Sequence, residues 1–380
     1  MSEAVLPRSF SEAAAVLAGA ASQGRPVRIV GGGTKLGWGS STPPRALRIH
    51  TGELNRVVIH EGEATATINA GTTLVRAQSL FARSGLMLAA DPQLGLGQRP
   101  AATLGGVVAT ADGGPLSHRY GPIGNQIAGV TVALSDGTIV STGPRTDHQQ
   151  DGYDIARLFA GSFGTLGLLL ACDVHLRPLP RTSATALATT TDAGRLRTAV
   201  GIIVREHPDL EALDVAWRDG QGGLLAQLTG AGCEERAGLV AGTMSAAALQ
   251  GAAVRTDDAG LWARQRAGQR ASEHAILRVH ARREELDAVL RAADSVGATV
   301  VGRAALGIMY LTLEVNRIAQ ARSSLPGGTG AVVLDLPAPS RDAIDPWGVS
   351  EGPETELMLF LKQRYDAPGV CNPGIFVGRI

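Results

Sequence analysis

Val30-Gly31-Gly32-Gly33-Thr34-Lys35 is the stretch on which the fold turns. It closes a short apolar run, Val27–Val30, that reads as a strand. Glycines let a backbone approach a ligand closely and let its N–H groups converge, and a hydroxyl or Lys completes the charge balance around a phosphate. The standard spacings are not met. Leu36 stands where G-x-G-x-x-G needs its last glycine, and Trp38 stands where a Walker loop needs its Lys after Gly37. No helix pattern follows either. Trp38–Pro44 is a loop and Arg45–His50 a second strand, which excludes the dinucleotide fold that places a helix directly after its glycines. An anion here is held by a backbone nest between strands, not by a helix dipole. Taken alone, a structural glycine turn is an equal reading.

Two further clusters lie downstream: Thr103-Leu104-Gly105-Gly106 and Gly161-Ser162-Phe163-Gly164-Thr165-Leu166-Gly167. Glycine totals 49 of 380 residues, about 13% against a usual ~7%. It shows no period of three, so a collagen helix is excluded. Three glycine loops at the edges of strands or helices suit one long diphosphate ligand lying across a domain. Between them the pattern predicts a helix over 11–24 capped by Ser11, a helix after Thr72 or Thr73 stopped at Gly85, a hairpin over 127–141, a helix over 153–160, and a strand in which Leu168, Leu170, Cys172, Val174 and Leu176 form one face.

Lys+Arg and Asp+Glu are 35 each, so neither a basic nucleic-acid binder nor an acidic tail protein is indicated. Only Lys35 and Lys362 are lysines; the Arg bias runs along the whole chain and reads as a nucleotide-composition effect. The three cysteines, Cys172, Cys233 and Cys371, are far apart, which argues against a disulfide framework, a Cys-rich metal site and a self-contained iron–sulfur cluster. No metal site is expected. A spanning helix and a secretory signal are not expected, and a cytoplasmic setting is.

Arg177-Pro178-Leu179-Pro180-Arg181 breaks the pattern and marks a boundary. Beyond it, candidate helices (193–206, 234–247, 282–294) alternate with strands (213–217, 223–228, 276–279, 310–315), which predicts an α+β domain with an antiparallel sheet. A last helix over 354–365 leads into Asn372-Pro373-Gly374. The domains expected are 1–181, 182–350, and a segment 351–380 that returns to the first.

The order of these motifs, with Asp91-Pro92 and Gly152-Tyr153-Asp154 between them, resembles the FAD-binding domain of the vanillyl-alcohol oxidase/p-cresol methylhydroxylase (PCMH) type. Arg119-Tyr120-Gly121 followed by Ser135-Asp136-Gly137 is similar to the glycolate oxidase FAD-binding subunit, the GlcE-like branch. The resemblance covers 25–181 and 354–376; 182–340 matches only in layout. It implies a two-subdomain FAD domain with an α+β cap. It places Gly31, Gly32, Gly33, Thr34 and Lys35 around the FAD pyrophosphate, with Thr103, Leu104, Gly105 and Gly106 opposite and Thr110, Gly113 and Gly114 nearby. Pro92 would lie near the isoalloxazine, Gly164, Thr165 and Gly167 would approach from the next strand, and Asn372 would close the flavin side. Covalent members carry a His after the glycines or in the second loop; Thr34 and Lys35 stand here, which implies non-covalent FAD.

The departures bear on the substrate. Related hydroxy-acid dehydrogenases have a Lys-Asn segment where His148-Gln149-Gln150-Asp151 stands, and Arg-Asp where Gly124-Asn125 stands. Gly cannot replace a bidentate Arg for a carboxylate. The metal motifs of larger members are absent. His118 and His148 are the candidate bases, each also readable as an ordinary loop His; Arg119 is a candidate carboxylate anchor, equally readable as an ion pair. The resemblance implies oxidation of a small 2-hydroxy acid such as glycolate or D-lactate by hydride transfer to the flavin. Electrons would pass to iron–sulfur and second flavin subunits, a complex through which the chain could lie peripherally at a membrane. The alternative is a degenerate FAD-domain subunit with a structural role. A molybdenum-hydroxylase FAD subunit or an enolpyruvate reductase is opposed by Asn372-Pro373-Gly374.

Overall fold

The computed structural model describes residues 3–60, 62–96, 101–143, 155–349 and 352–380. The strand Val27–Val30 buries Val27 and Val30 and pairs in parallel with Leu47–His50, which pairs in parallel with Ala4–Val5. The helix Phe10–Ser22 covers this sheet with Ala13, Ala14, Leu17 and Ala20, one stripe at helical spacing. Ser9, not Ser11, caps it: Ser9 is extended and its Oγ accepts from Glu12 N at 3.1 Å.

A second, antiparallel sheet runs in the order Val57–His60, Thr65–Asn69, Leu168–His175, Ile127–Ala133, Ile139–Ser141. Leu168–His175 lies between two partners, and its apolar residues do not keep to one face. Leu168 and Leu170 join the core under the first helix, while Leu169, Cys172 and Val174 join the core under the helix Leu74–Arg83. The expected single apolar face is thus corrected: a central strand is covered on both sides. Thr73 caps the helix Leu74–Arg83. Leu104–Ala109 is a six-residue helix capped by Thr103, where the glycines alone suggested a loop; burial of Leu104, Val107 and Val108 overrides their poor propensity.

Residues 183–335 form one eight-stranded, fully antiparallel sheet. The helices Ala193–Glu206, Cys233–Ala246 and Leu286–Ser295 cover one face. The opposite face meets the first half of the chain: Ile276, Tyr310 and Leu334 pack with Trp38 and Phe163. Four strands (Ser183–Thr190, Gln250–Arg255, Thr299–Arg303, Gly330–Asp335) were not indicated by the pattern, being short or rich in Ala and Gly.

The helix Pro353–Tyr365 packs Leu361 and Tyr365 on the core of the second sheet, and the chain after it adds an edge to the first, with Val27 N donating to Val370 O at 2.8 Å and Asn372 N donating to Val27 O at 2.9 Å. Lys362 fixes this return. Its Nζ donates to Asp366 Oδ2 at 2.6 Å, Thr165 O at 2.8 Å and Cys371 O at 2.8 Å, so all three N–H groups are used. Removing one partner of a buried ion pair leaves the other charge uncompensated, at about 3–5 kcal/mol. We expect Lys362→Met to lose stability of that order, read as a lowered urea midpoint; an unchanged midpoint would show that the pair is idle.

Candidate functional site

A cavity opens within the first half of the chain, closed on one side by the C-terminal return at Asn372 and Ile375. Its walls include Gly31, Gly32, Gly33, Thr34 and Lys35, then Thr103, Gly105, Gly106 and Thr110, then Gly164, Gly167 and Asn372. Three glycine loops far apart in sequence thus border one space. Thr165, Leu104, Pro92, Gly113 and Gly114 do not line it. Thr165 Oγ1 bonds Ser162 O, and Leu104 is fully buried in the core. Gly114 lies against Asp91, where a Cβ would stand 1.9 Å from the Asp91 carbonyl oxygen. Gly113 and Gly114 therefore serve loop packing.

The glycine loop has no room for side chains. A Cβ on Gly31 would stand 2.3 Å from Thr103 Oγ1, and one on Gly32 would stand 1.6 Å from Ala101 O. Gly33 has φ +72°, a left-handed conformation that glycine adopts without strain. Asn372 locks the far wall: its Oδ1 accepts from Ile29 N at 2.8 Å, and its Nδ2 donates to Phe163 O at 2.6 Å. Its side-chain amide is spent on backbone, so Asn372 shapes the cavity.

Two cations border the space. Lys35 Nζ lies 3.1 Å from Asp112 Oδ2, both almost enclosed, at an angle that makes no hydrogen bond. Arg28, which the sequence reading missed inside Val27–Val30, also lines the cavity. Its Nη2 donates to Leu36 O at 3.1 Å, while its buried Nη1 has no partner among the described residues. Burial and the neighbouring Arg48 lower its pKa to about 10. A backbone cradle closed to any Cβ, with an orphaned guanidinium nitrogen beside it, fits the diphosphate of a dinucleotide.

The candidate catalytic residues fall elsewhere. Arg119 is committed across the interface, with Nε 3.6 Å from Glu211 Oε2 and Nη1 donating to Asp209 O at 2.9 Å. Tyr120 OH donates to Glu211 Oε1 at 2.8 Å, and burial and that carboxylate push its pKa up to about 12. This clasp joins the two halves, so the structure gives Arg119 an ion pair in place of the free anchor. His118 does not line the cavity; its buried Nδ1 has no partner among the described residues, and burial, then Arg119, lowers its pKa. His148 lies outside the described residues.

A different polar cluster faces the glycine loops from the eight-stranded sheet. Asp214 and Arg303 sit opposite each other on paired strands, Oδ1 to Nε 3.9 Å, with the Arg303 guanidinium 5.3 Å from the Tyr310 ring centroid. Gln269 bridges the halves, donating to Gly113 O at 3.0 Å and accepting from Arg303 Nη2 at 2.5 Å. Asp91 accepts from Leu116 N and lies 3.3 Å from Arg266 Nη1. Burial, only partly offset by these arginines, pushes Asp91 up to about 6 and Asp214 up to about 7. Arg270 ties the cap to the glycine loop: it donates to Thr34 O at 2.8 Å and pairs with Asp335, which also accepts from Trp38 Nε1.

Two outcomes follow. Gly32→Ala forces the 101–103 backbone away, so FAD affinity should fall at least about tenfold (~1.4 kcal/mol) with the far-UV spectrum unchanged; equal affinity would show that the close approach is dispensable. For the carboxyls, a proton held more tightly folded than unfolded stabilises the fold at low pH, and that contribution is lost as pH rises through the folded value. Stability should therefore fall from about pH 4 to 7, and Asp214→Asn should flatten the upper part of the fall in urea titrations at stepped pH; an identical profile would refute the assignment.

Residues 2–143 match the family described as FAD binding domain. The chain is 29% identical over 177 residues to a D-lactate dehydrogenase of Archaeoglobus fulgidus, covering 47% of this chain and 39% of that protein. It is 31% identical over 190 residues to glycolate oxidase subunit GlcD of Bacillus subtilis, covering 50% of this chain and 40% of that protein. The chain thus spans about two fifths of the length of these curated relatives. In fold it is similar to a solved alkyldihydroxyacetonephosphate synthase, TM-score 0.70 at 16% identity over 97% of this chain and 76% of that one. Residues 2–143, which supply the first two glycine loops of the cavity, are thus similar to the FAD binding domain family, and the antiparallel cap sheet follows them in the chain.

Proposed function

We propose that the chain binds FAD non-covalently in the glycine-walled cavity and is the FAD-binding part of an oxidoreductase for a small 2-hydroxy acid such as glycolate or D-lactate. The observation that carries the reading is the cavity itself, three backbone loops and Arg28 around one space. The printed names of the relatives, D-lactate dehydrogenase and glycolate oxidase subunit, support the substrate class. Gly31, Gly32, Gly33, Thr34, Thr103, Gly105, Gly106, Thr110, Gly164 and Gly167 would contact the cofactor, with Arg28 at its phosphates and Lys35 held nearby by Asp112.

Bound FAD supplies the two-electron acceptor. The chain's own residues bind and orient the substrate. With Arg119 taken by Glu211, Arg278 and Arg303 become the anchors for a substrate carboxylate: they share the sheet face of Tyr310 that meets the glycine loops. Two of their guanidinium atoms, Arg278 Nε and Arg303 Nε, have no hydrogen-bond partner among the described residues. All three cysteines are free and buried, so electrons would leave through a partner that carries its own iron–sulfur cluster. No helix among the described residues is long and apolar enough to cross a membrane, and a cytoplasmic setting is part of the proposal.

The burial of Asp214 and Arg303 away from solvent supports a second reading, a flavin-domain subunit with a structural role. The purified chain separates the two. Yellow colour released on acid precipitation supports non-covalent FAD, and a chain that stays colourless with added FAD refutes it. Anaerobic bleaching by glycolate or D-lactate supports oxidation; retained FAD that no 2-hydroxy acid bleaches, with or without an added acceptor, favours the structural reading.

A further inference from the structure

Beside the dinucleotide cavity lies a second space, a groove bordered by Arg28, Arg48, Arg341 and the loop from Gly37 to Pro44. Arg28 and Leu36 border both spaces; Arg48 and Arg341 do not border the first. Arg28 and Arg48 are direct partners on parallel strands. Like charges placed so repel each other, and the arrangement calls for a countercharge. The protein does not provide one: among the described residues no carboxylate pairs with Arg28, Arg48 or Arg341. Asp342, next to Arg341 in the chain, accepts from Ser41 Oγ at 2.6 Å. Glu3, beside Arg48 in the sheet, is paired with Arg25.

The third guanidinium is held in place. Arg341 Nε donates to Leu336 O at 3.3 Å, and the guanidinium lies against Gly37, where a Cβ would stand 2.6 Å from Nη2. Gly37 is therefore the residue that lets Arg341 reach the groove. Ser40, Ser41 and Thr42 add hydroxyls to the same wall. Arg28 is the buried end of the set, with Nη1 enclosed and unpartnered. Three planar donors that border one groove, none of them paired with a carboxylate among the described residues, suit the oxygens of phosphate groups, which guanidinium binds in paired hydrogen bonds.

We propose that Arg28, Arg48 and Arg341 form a second anion site, distinct from the FAD cavity, for a small ligand that carries phosphate groups. Arg28 borders both spaces, and Arg48 and Arg341 belong to the second alone.

The test titrates inorganic pyrophosphate into the FAD-loaded chain by calorimetry. One pyrophosphate should bind per chain with the flavin spectrum unchanged. Arg48→Ala and Arg341→Ala should each weaken binding at least about tenfold while FAD is retained, and affinity should fall steeply with added salt. Three results would overturn the site: no binding to the loaded chain, release of FAD by pyrophosphate, or affinity unchanged in both variants. Citrate binding as tightly as pyrophosphate would overturn the phosphate assignment. A chain that holds no FAD overturns the reading above; the titration is then made on the apo chain, where weakening in Arg48→Ala and Arg341→Ala, which do not line the FAD cavity, still locates binding in the groove, and unchanged affinity in both overturns it.

Discussion

Gly31 and Gly32 let two backbones meet at a distance that any side chain would forbid, and the rest of the site is built around that contact. The loop after the first strand closes on Ala101–Thr103, Thr103 starts the short helix Leu104–Ala109, and that helix lies over the strand Leu168–His175. The third glycine loop is drawn to the same place by Asn372, whose amide reaches two backbone groups on opposite sides. Glycine here acts less as a source of freedom than as a shortage of volume. Close packing leaves no slack at such a point, so the cavity's shape follows from where atoms are missing.

Charge is arranged by a similar economy. The chain is neutral overall, yet its interior holds Lys35–Asp112, Arg270–Asp335, Lys362–Asp366 and the looser Arg303–Asp214. Such pairs add little net stability against desolvation, but each punishes a wrong geometry. Arg270–Asp335 holds the glycine loop through Thr34 and Trp38, and Glu211 holds Arg119 and Tyr120. The two halves of the chain are thereby set against each other at several polar points, with the cluster of Asp91, Asp214 and Arg303 between them.

Much of this site was legible in the residue order, because backbone cradles need glycine at fixed places and few other reasons place three such clusters in one chain. The long helices were legible for a related reason: Ala193–Glu206 has the spacing of a one-sided helix throughout. Arg28 was not, since within Val-Arg-Ile-Val it looks like an outward residue of an alternating strand. The role of Arg119 was not legible either. His118-Arg119-Tyr120 looks the same whether it meets a substrate or Glu211, and Glu211 is 91 residues away from Tyr120. The strand Ser183–Thr190 escaped because its sequence, rich in Ala and Thr, has no apolar alternation to show; its two neighbours in the sheet make it a strand.

The two lysines close the account. Both are ion-paired inside the protein, with side chains 6% and 11% accessible. Every other side-chain cation outside histidine is an Arg. The folded surface is therefore blank to amine-directed chemistry on side chains: lysine acylation, lysine cross-linking and amine coupling to a support find nothing to hold. Any modification of Lys35 or Lys362 would report that the glycine loop or the C-terminal return has opened, which makes the chain's scarcest residue a built-in marker of its integrity.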